Sequence, residues 1–298
     1  MGARPDHDQG TANERGTFWA ALLTGGFMGV ELVGGIIAGS LALIADAAHM
    51  LTDAIALAFA WYAFRLARRP ADETRTYGYH RFQILVAFAN GIAMFFIIGW
   101  IFYEAVGRLF EPVEVLGGLM LAVALLGLAV NTVAFGALMG ADRENLNIRG
   151  ALIHVAGDAL GSVAALVAAA IILTTGWNQA DPLLSMFVGL VLLRAAWRLV
   201  SESGHILLEG TPKGIEIADI KNDLIGNVPG VDDIHHIHVW SLTQSQRMLT
   251  LHARLERGLD HNATRVLIRR RLRSEFGIGH ATIEIEHVAD KVGKESAP

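Results

Sequence analysis

Two short patterns in the sequence place side chains that hydrocarbon should exclude inside apolar runs. In "ADAAHMLTDAIALAFAWYAF", residues 45–64, His49 and Asp53 stand four apart, with Asp46 one turn earlier. In "HVAGDALGSVAALVAAAIIL", His154 and Asp158 repeat the spacing. Residues four apart share a helix face, so each motif is a two-donor face. An ionised Asp near a bilayer centre costs roughly 2.5–3.5 kcal/mol on insertion scales, and no Lys or Arg lies at comparable depth in these runs. A divalent cation would offset that cost: two imidazole nitrogens and two carboxylate oxygens make a tetrahedral set suited to Zn2+. The hard ions Mg2+ and Ca2+ prefer all-oxygen shells. A lone polar residue in a membrane helix is often only an interhelical hydrogen-bonder; two identical pairs in separate segments are harder to explain that way. Asp46 is read as a proton carrier or helix-end group before it is read as a ligand. Glu31, Asn90 and Asn131 are also polar within apolar runs, and Asn131 is expected to hydrogen-bond between helices.

The elements that must hold these faces are membrane spans. The chain has 298 residues, 53% hydrophobic and 18% charged, against about 25% charged in a soluble domain. Its mean hydropathy is +0.41. Runs long enough to cross a bilayer, about 20 residues each, lie near 18–38, 41–65, 83–106, 115–139, 150–174 and 180–200. Arg65, Arg68, Arg69, Arg75 and Arg81 fall between the second and third, and Arg143 and Arg149 between the fourth and fifth. The opposite loops hold only Arg108, so the positive-inside rule puts both termini in the cytoplasm of a multi-pass inner (plasma) membrane protein. Residues 1–17 read as a polar cytoplasmic tail, not a cleaved signal. There is no cysteine, hence no disulfide framework or thiolate chemistry. The net charge of −5 says little about partners and gives no reason to expect nucleic acid.

After about Leu208 the texture changes. "PKGIEIADIKNDLIGN" has helical periodicity; "DDIHHIHVWSLT" and "QRMLTLHARLE" alternate like strands; "DHNATRVLIRRRLRSEF" is a basic amphipathic helix; "HATIEIEHV" alternates again. The expected architecture is therefore a membrane all-α six-helix transmembrane bundle over 18–208, then a small cytoplasmic α+β (ferredoxin-like, αββαβ) domain over 209–290 and a disordered tail over 291–298. His235, His236, His238 and His252 fall on the hairpin strands. Strict alternation places His236 and His238 on one face and His235 on the other. Glu284 and Glu286 share a face of the last strand.

Four stretches, "SLALIADAAHMLTDAIAL", "TYGYHRFQILVAFANG", "HVAGDALGSV" and "IHHIHVWSLT…LTLHARLE…HATIEIE", together resemble the cation diffusion facilitator family in its bacterial zinc-exporting branch, over residues 18 to 288. The resemblance implies a homodimeric antiporter, a secondary active transporter and not an enzyme, that moves a divalent metal out of the cytoplasm in exchange for protons. It implies a transport site of His49, Asp53, His154 and Asp158, with His at the first of these positions pointing to zinc over cadmium. It also implies cytoplasmic metal ligands at His235, His252, His261, Glu284 and Glu286, a site that would tighten the dimer. There are two departures. Asp72 remains from a metal site some relatives carry after the second span, but Arg75 and Tyr79 replace its histidines. The loop "GADRENLNIRG" lacks the histidine run of many eukaryotic members.

Metal ligation must be reversible for transport. It needs neutral imidazole and ionised carboxylate, so binding releases protons, and imidazole changes charge near neutral pH. Alternating access with incoming protons displacing zinc follows. Competing readings are the same machine for Co2+, Cd2+, Ni2+ or Fe2+, and a membrane-anchored metal sensor. An intramembrane metalloenzyme is disfavoured, since H-E-x-x-H is absent and neither motif supplies a general base beside the metal.

Overall fold

Apolar runs free of internal proline become helices in a medium that offers the backbone no other partner. The structure, a computed structural model, describes residues 25–67, 71–139, 146–243 and 246–287. The terminal tails, the start of the first expected span, Arg68, Arg69 and most of "GADRENLNIRG" lie outside the described residues. Helix α1 covers Gly25–Ala38, α2 Leu41–Ala67, α3 Phe82–Phe110, α4 Gly117–Met139, α5 Leu146–Thr175 and α6 Ala180–Leu207. Four of the described helices, α3 to α6, contain segments long and apolar enough to cross a membrane. Pro112 stands just beyond α3, and Pro182 sits in the first turn of α6, where its missing N–H costs nothing.

By contacts the described chain forms two units: residues up to Phe59 with Ala89–Leu199, and Ala60–Phe88 with the residues from Val200 onward. In the first, α4 packs along α5 at small residues. A Cβ on Gly127 would lie 2.7 Å from the Phe27 ring of α1 and 3.0 Å from Ser162 Oγ of α5. Phe27, Leu43, Met50, Met120, Val123 and Ile172 fill the space between α1, α2, α4 and α5. A second apolar cluster joins Leu41 and Ala45 of α2 to Ile101 and Ala105 of α3, with Met186 of α6 packed against it.

The second unit carries α7 (Ile217–Asn227), β1 (Val231–Ser241), β2 (Arg247–Leu255), α8 (His261–Phe276) and β3 (His280–His287), the order the sequence pattern predicts. The sheet runs β1-β2-β3, with β1 antiparallel and β3 parallel to β2. Ile220 and Leu224 of α7 and Ile268 and Leu272 of α8 pack on Ile234, Leu249, Leu251 and Leu255. Asp260 caps α8 by accepting from Asn262 N and Ala263 N, and Gly277, at φ 64°, closes it in the left-handed region. Arg271 of α8 donates two hydrogen bonds, at 2.7 and 2.8 Å, to Asp223 of α7.

Candidate metal centre

The helical spacing of the first motif delivers the expected face. His49 Nε2 lies 3.7 Å from Asp53 Oδ2 on α2. Both line a cavity of about 430 Å3 together with Asp158 of α5, Asp46, Asn90 and Met94. Asp158 is 2% exposed and Asp46 7%. His154 lies on α5 four residues before Asp158; its side chain lies outside the described residues. No Lys or Arg belongs to the described lining. Gly161 brings α5 against α2: a Cβ there would lie 3.0 Å from Asp46 Oδ1. Fully buried Glu31 of α1 is close enough to Asp46 and Asp158 to interact with their charges. Sequence reading noted Glu31 without a role; the hint was a carboxylate in a glycine-rich apolar run. Asn131 makes its interhelical bond, Nδ2 to Ser162 Oγ at 3.4 Å.

In the second unit a metal-ligand arrangement forms at the sheet. Register pairs His235 with His252 and His252 with Glu284 across the three strands. Donor atoms of His235, His252 and Glu286 lie within 4.8 Å of one another. His252 Nδ1 is 2.7 Å from Glu286 Oε1, His235 Nε2 is 3.2 Å from Glu286 Oε2, and His252 Nε2 is 3.5 Å from Glu284 Oε2. Burial works to raise the Glu286 carboxyl, but the His252 hydrogen bond and the charges of both imidazoles bring it below its usual range. Two imidazoles and a carboxylate on adjacent strands are a donor set that fits zinc. His261 begins α8 and is not in that group.

Strict alternation along β1 does not hold. Pairing with β2 shifts register between His235 and His238, and His236 adopts φ 49°. This bulge turns His236 to the same side as His235: its ring is 5.4 Å from that of His235 and 4.9 Å from that of His252. A bulge inserts a residue and breaks the period of two. Sequence reading placed His236 on the face opposite His235, and the only trace of its actual side was three histidines within four positions.

In the loop before α3, Asp72 accepts from Thr74 Oγ1, Thr74 N and Arg75 N at 2.7–2.9 Å, bonds that hold its carboxyl below the usual range. The Arg75 guanidinium lies 4.7 Å from the centre of the Tyr79 ring. These side chains close a local turn.

A buried carboxylate on α5, one of the helices able to cross a membrane, meets the imidazole and carboxylates of α2 in a chain that also carries a sheet domain with a His/Glu cluster, and together these define a membrane protein that handles cations. The family description "cation efflux transmembrane domain" matches residues 17–208, and "cation efflux protein, cytoplasmic domain" matches 212–288. The chain belongs to the cation efflux (cation diffusion facilitator) family. It is 45% identical over 276 residues to the zinc transporter ZitB of Escherichia coli (strain K12), covering 92% of this chain and 88% of that protein. It is 40% identical over 288 residues to the metal cation efflux system protein CzcD of Cupriavidus metallidurans (96% and 90% covered). It is 40% identical over 286 residues to the cadmium, cobalt and zinc/H(+)-K(+) antiporter of Bacillus subtilis (strain 168), covering 94% and 91%.

Proposed function

We propose that the protein exports Zn2+ from the cytoplasm in exchange for protons, through a tetrahedral site of His49, Asp53, His154 and Asp158. The observation that carries this reading is the cavity where His49, Asp53, Asp46 and Asp158 converge without a Lys or Arg in the described lining. Such a charge set needs a cation, and the imidazole selects a borderline-soft one. Resemblance to a zinc transporter at 45% identity supports the same metal. In this reading helices α1 to α6 are six spans of an inner-membrane bundle over 18–208 with both termini cytoplasmic. The domain over 209–290 is ferredoxin-like, binds metal through His235, His252 and Glu286 with Glu284 and His261 as further ligands, and holds a homodimer together.

The protein's own groups carry the coupling. Protons arriving at His49 and His154 remove the lone pairs that ligate metal. Protonation of Asp53 or Asp158 removes the charge that attracts it. Zinc then leaves on the side where protons are plentiful.

The test is ion flux into proteoliposomes under an imposed pH gradient, offering Zn2+, Cd2+, Co2+ and Mn2+. Proton-coupled zinc flux that is lost in Asp158→Ala and broadened to cadmium in His49→Asp supports the site. Wild-type protein that moves no metal while its cytoplasmic domain binds zinc would replace the transporter with a sensor.

A further inference from the structure

We propose that Asp181 is the positioning residue of a gate that closes the metal cavity at one end of the helix bundle. The proposal rests on the transport reading above and assigns the closure to named contacts. Asp181 opens α6 and is fully buried. Its carboxylate accepts from Ser40 Oγ at 2.7 Å, from Leu41 N at 2.7 Å and from Ala42 N at 3.2 Å. Ser40 in turn accepts from Leu43 N at 3.3 Å. The first backbone N–H groups of a helix have no partner within it, and here α2 has them satisfied by a side chain 140 residues away in sequence. An anion at this place also meets the positive end of the helix dipole.

The same corner is tied from two more sides. Arg108 of α3 donates to the carbonyl of Gly39, and its Nε bonds Glu104 at 3.0 Å. Leu116 N, ahead of α4, donates to Ala38 O at 2.9 Å. The turn between α1 and α2 is therefore clamped to α3, α4 and α6, with Gly39 at φ 69° making the reversal.

Below this clamp lies an apolar plug: Leu41 and Ala45 of α2, Ile101 and Ala105 of α3, none more than 1% exposed, with Met186 packed against it. The cavity begins only beyond it, at Asp46 on α2 and Phe187 on α6. Clamp, plug and cavity follow one another along the same helices. The cavity lies on the far side of the plug from Asp181, so metal can pass the Asp181 end only if α2 parts from α3 and α6 there. The polar bonds that hold the start of α2 to α6 against that parting are those made by Asp181, while Arg108 holds the preceding turn to α3. Bonds in such a buried network strengthen one another, and packed interfaces switch between arrangements rather than deform continuously, which is what a gate requires.

The chain lacks cysteine, so single-thiol reporters are clean. Ala105→Cys reports on the plug and Ala195→Cys on the cavity lining. Full-length protein in liposomes is reacted with a soluble thiol reagent, in the wild-type and Asp181→Ala backgrounds. Expected is a rise of about tenfold in the plug rate and a fall in the cavity rate, the reciprocal change of a shifted two-state equilibrium. Asp181→Asn, which keeps an acceptor oxygen, should restore most of the difference. A rise at both positions would mean loosened folding, and no change at either would mean Asp181 bears no gating load; each overturns the proposal. Zinc flux is measured on the same liposomes. Reciprocal labelling with no wild-type flux would keep the gate and reject the transport reading.

Discussion

Replacing His252 by alanine tests the sheet-borne cluster most directly. His252 lies at its centre: Nδ1 at 2.7 Å from Glu286, Nε2 at 3.5 Å from Glu284, and its ring 4.9 and 5.5 Å from those of His236 and His235. Zinc sites with four protein ligands bind with about 10–16 kcal/mol, so each ligand is worth about 3 kcal/mol. At 1.4 kcal/mol per decade, His252→Ala should weaken zinc at this site by about a hundredfold. The assay is calorimetric titration of the full chain carrying Asp158→Ala, which isolates the cytoplasmic site. His238→Ala is the control, since His238 lies beyond the bulge opposite Thr250. His236→Gly separates geometry from ligation. Glycine relieves a left-handed cost of about 1–2 kcal/mol and adds a backbone-entropy cost of about 0.5–1 kcal/mol, so metal-free stability should not fall while zinc affinity does. Unchanged affinity in His252→Ala, or equal losses in His238→Ala and His252→Ala, would refute the cluster.

Three further outcomes are expected. Gly161→Val should cut metal flux several-fold without changing zinc titration of the cytoplasmic site, because its side chain must enter space 3.0 Å from the Asp46 carboxylate. Ile220→Ala should destabilise the cytoplasmic unit by about 2–5 kcal/mol, read by hydrogen exchange of β1 to β3, since Ile220 is wholly buried in that core. The Asp223 carboxyl is held below its usual range, first by the Arg271 hydrogen bonds, with burial opposing. A depressed carboxylate stabilises the fold above its unfolded pKa, about 3.9, and loses that contribution as pH falls through the lower folded value. Asp223→Asn should therefore remove part of the acid-induced loss of stability expected below about pH 4, as read by an acid titration of hydrogen exchange.

Much of the architecture is legible in residue periodicity alone. The apolar runs fix where the long helices lie, because a segment without internal proline and with few charges has little else to do in hydrocarbon. Hence α2 begins at Leu41 and α6 at Ala180, as the runs suggest. The i,i+4 spacing of His49 and Asp53 fixes that they share a face before any packing is known. In the second unit, the change from 3.6-residue to two-residue periodicity gives the order of α7, β1, β2, α8 and β3. What periodicity carries is local, and it fails where the chain departs from it. The bulge at His236 is such a place, because a single left-handed residue brings its own side chain to the side of His235 and shifts the alternation after it, so that Ile234 and Val239, on either side of the bulge, both reach the core.

Sequence by itself determined which segments are apolar, which donor types they carry and how those donors space along a helix, since all three depend only on near neighbours. Tertiary structure alone decided that Asp158 meets His49 and Asp53 in one cavity, that Gly161 lets α5 approach Asp46, and that Asp181 caps a helix 140 residues away. It also decided that Glu286 of β3 meets His235 of β1 across β2. The physical reason is the same in each case. These contacts join residues far apart in the chain, and they are chosen by which packed arrangement satisfies buried charge and backbone groups together, a condition on the whole molecule that no local pattern contains.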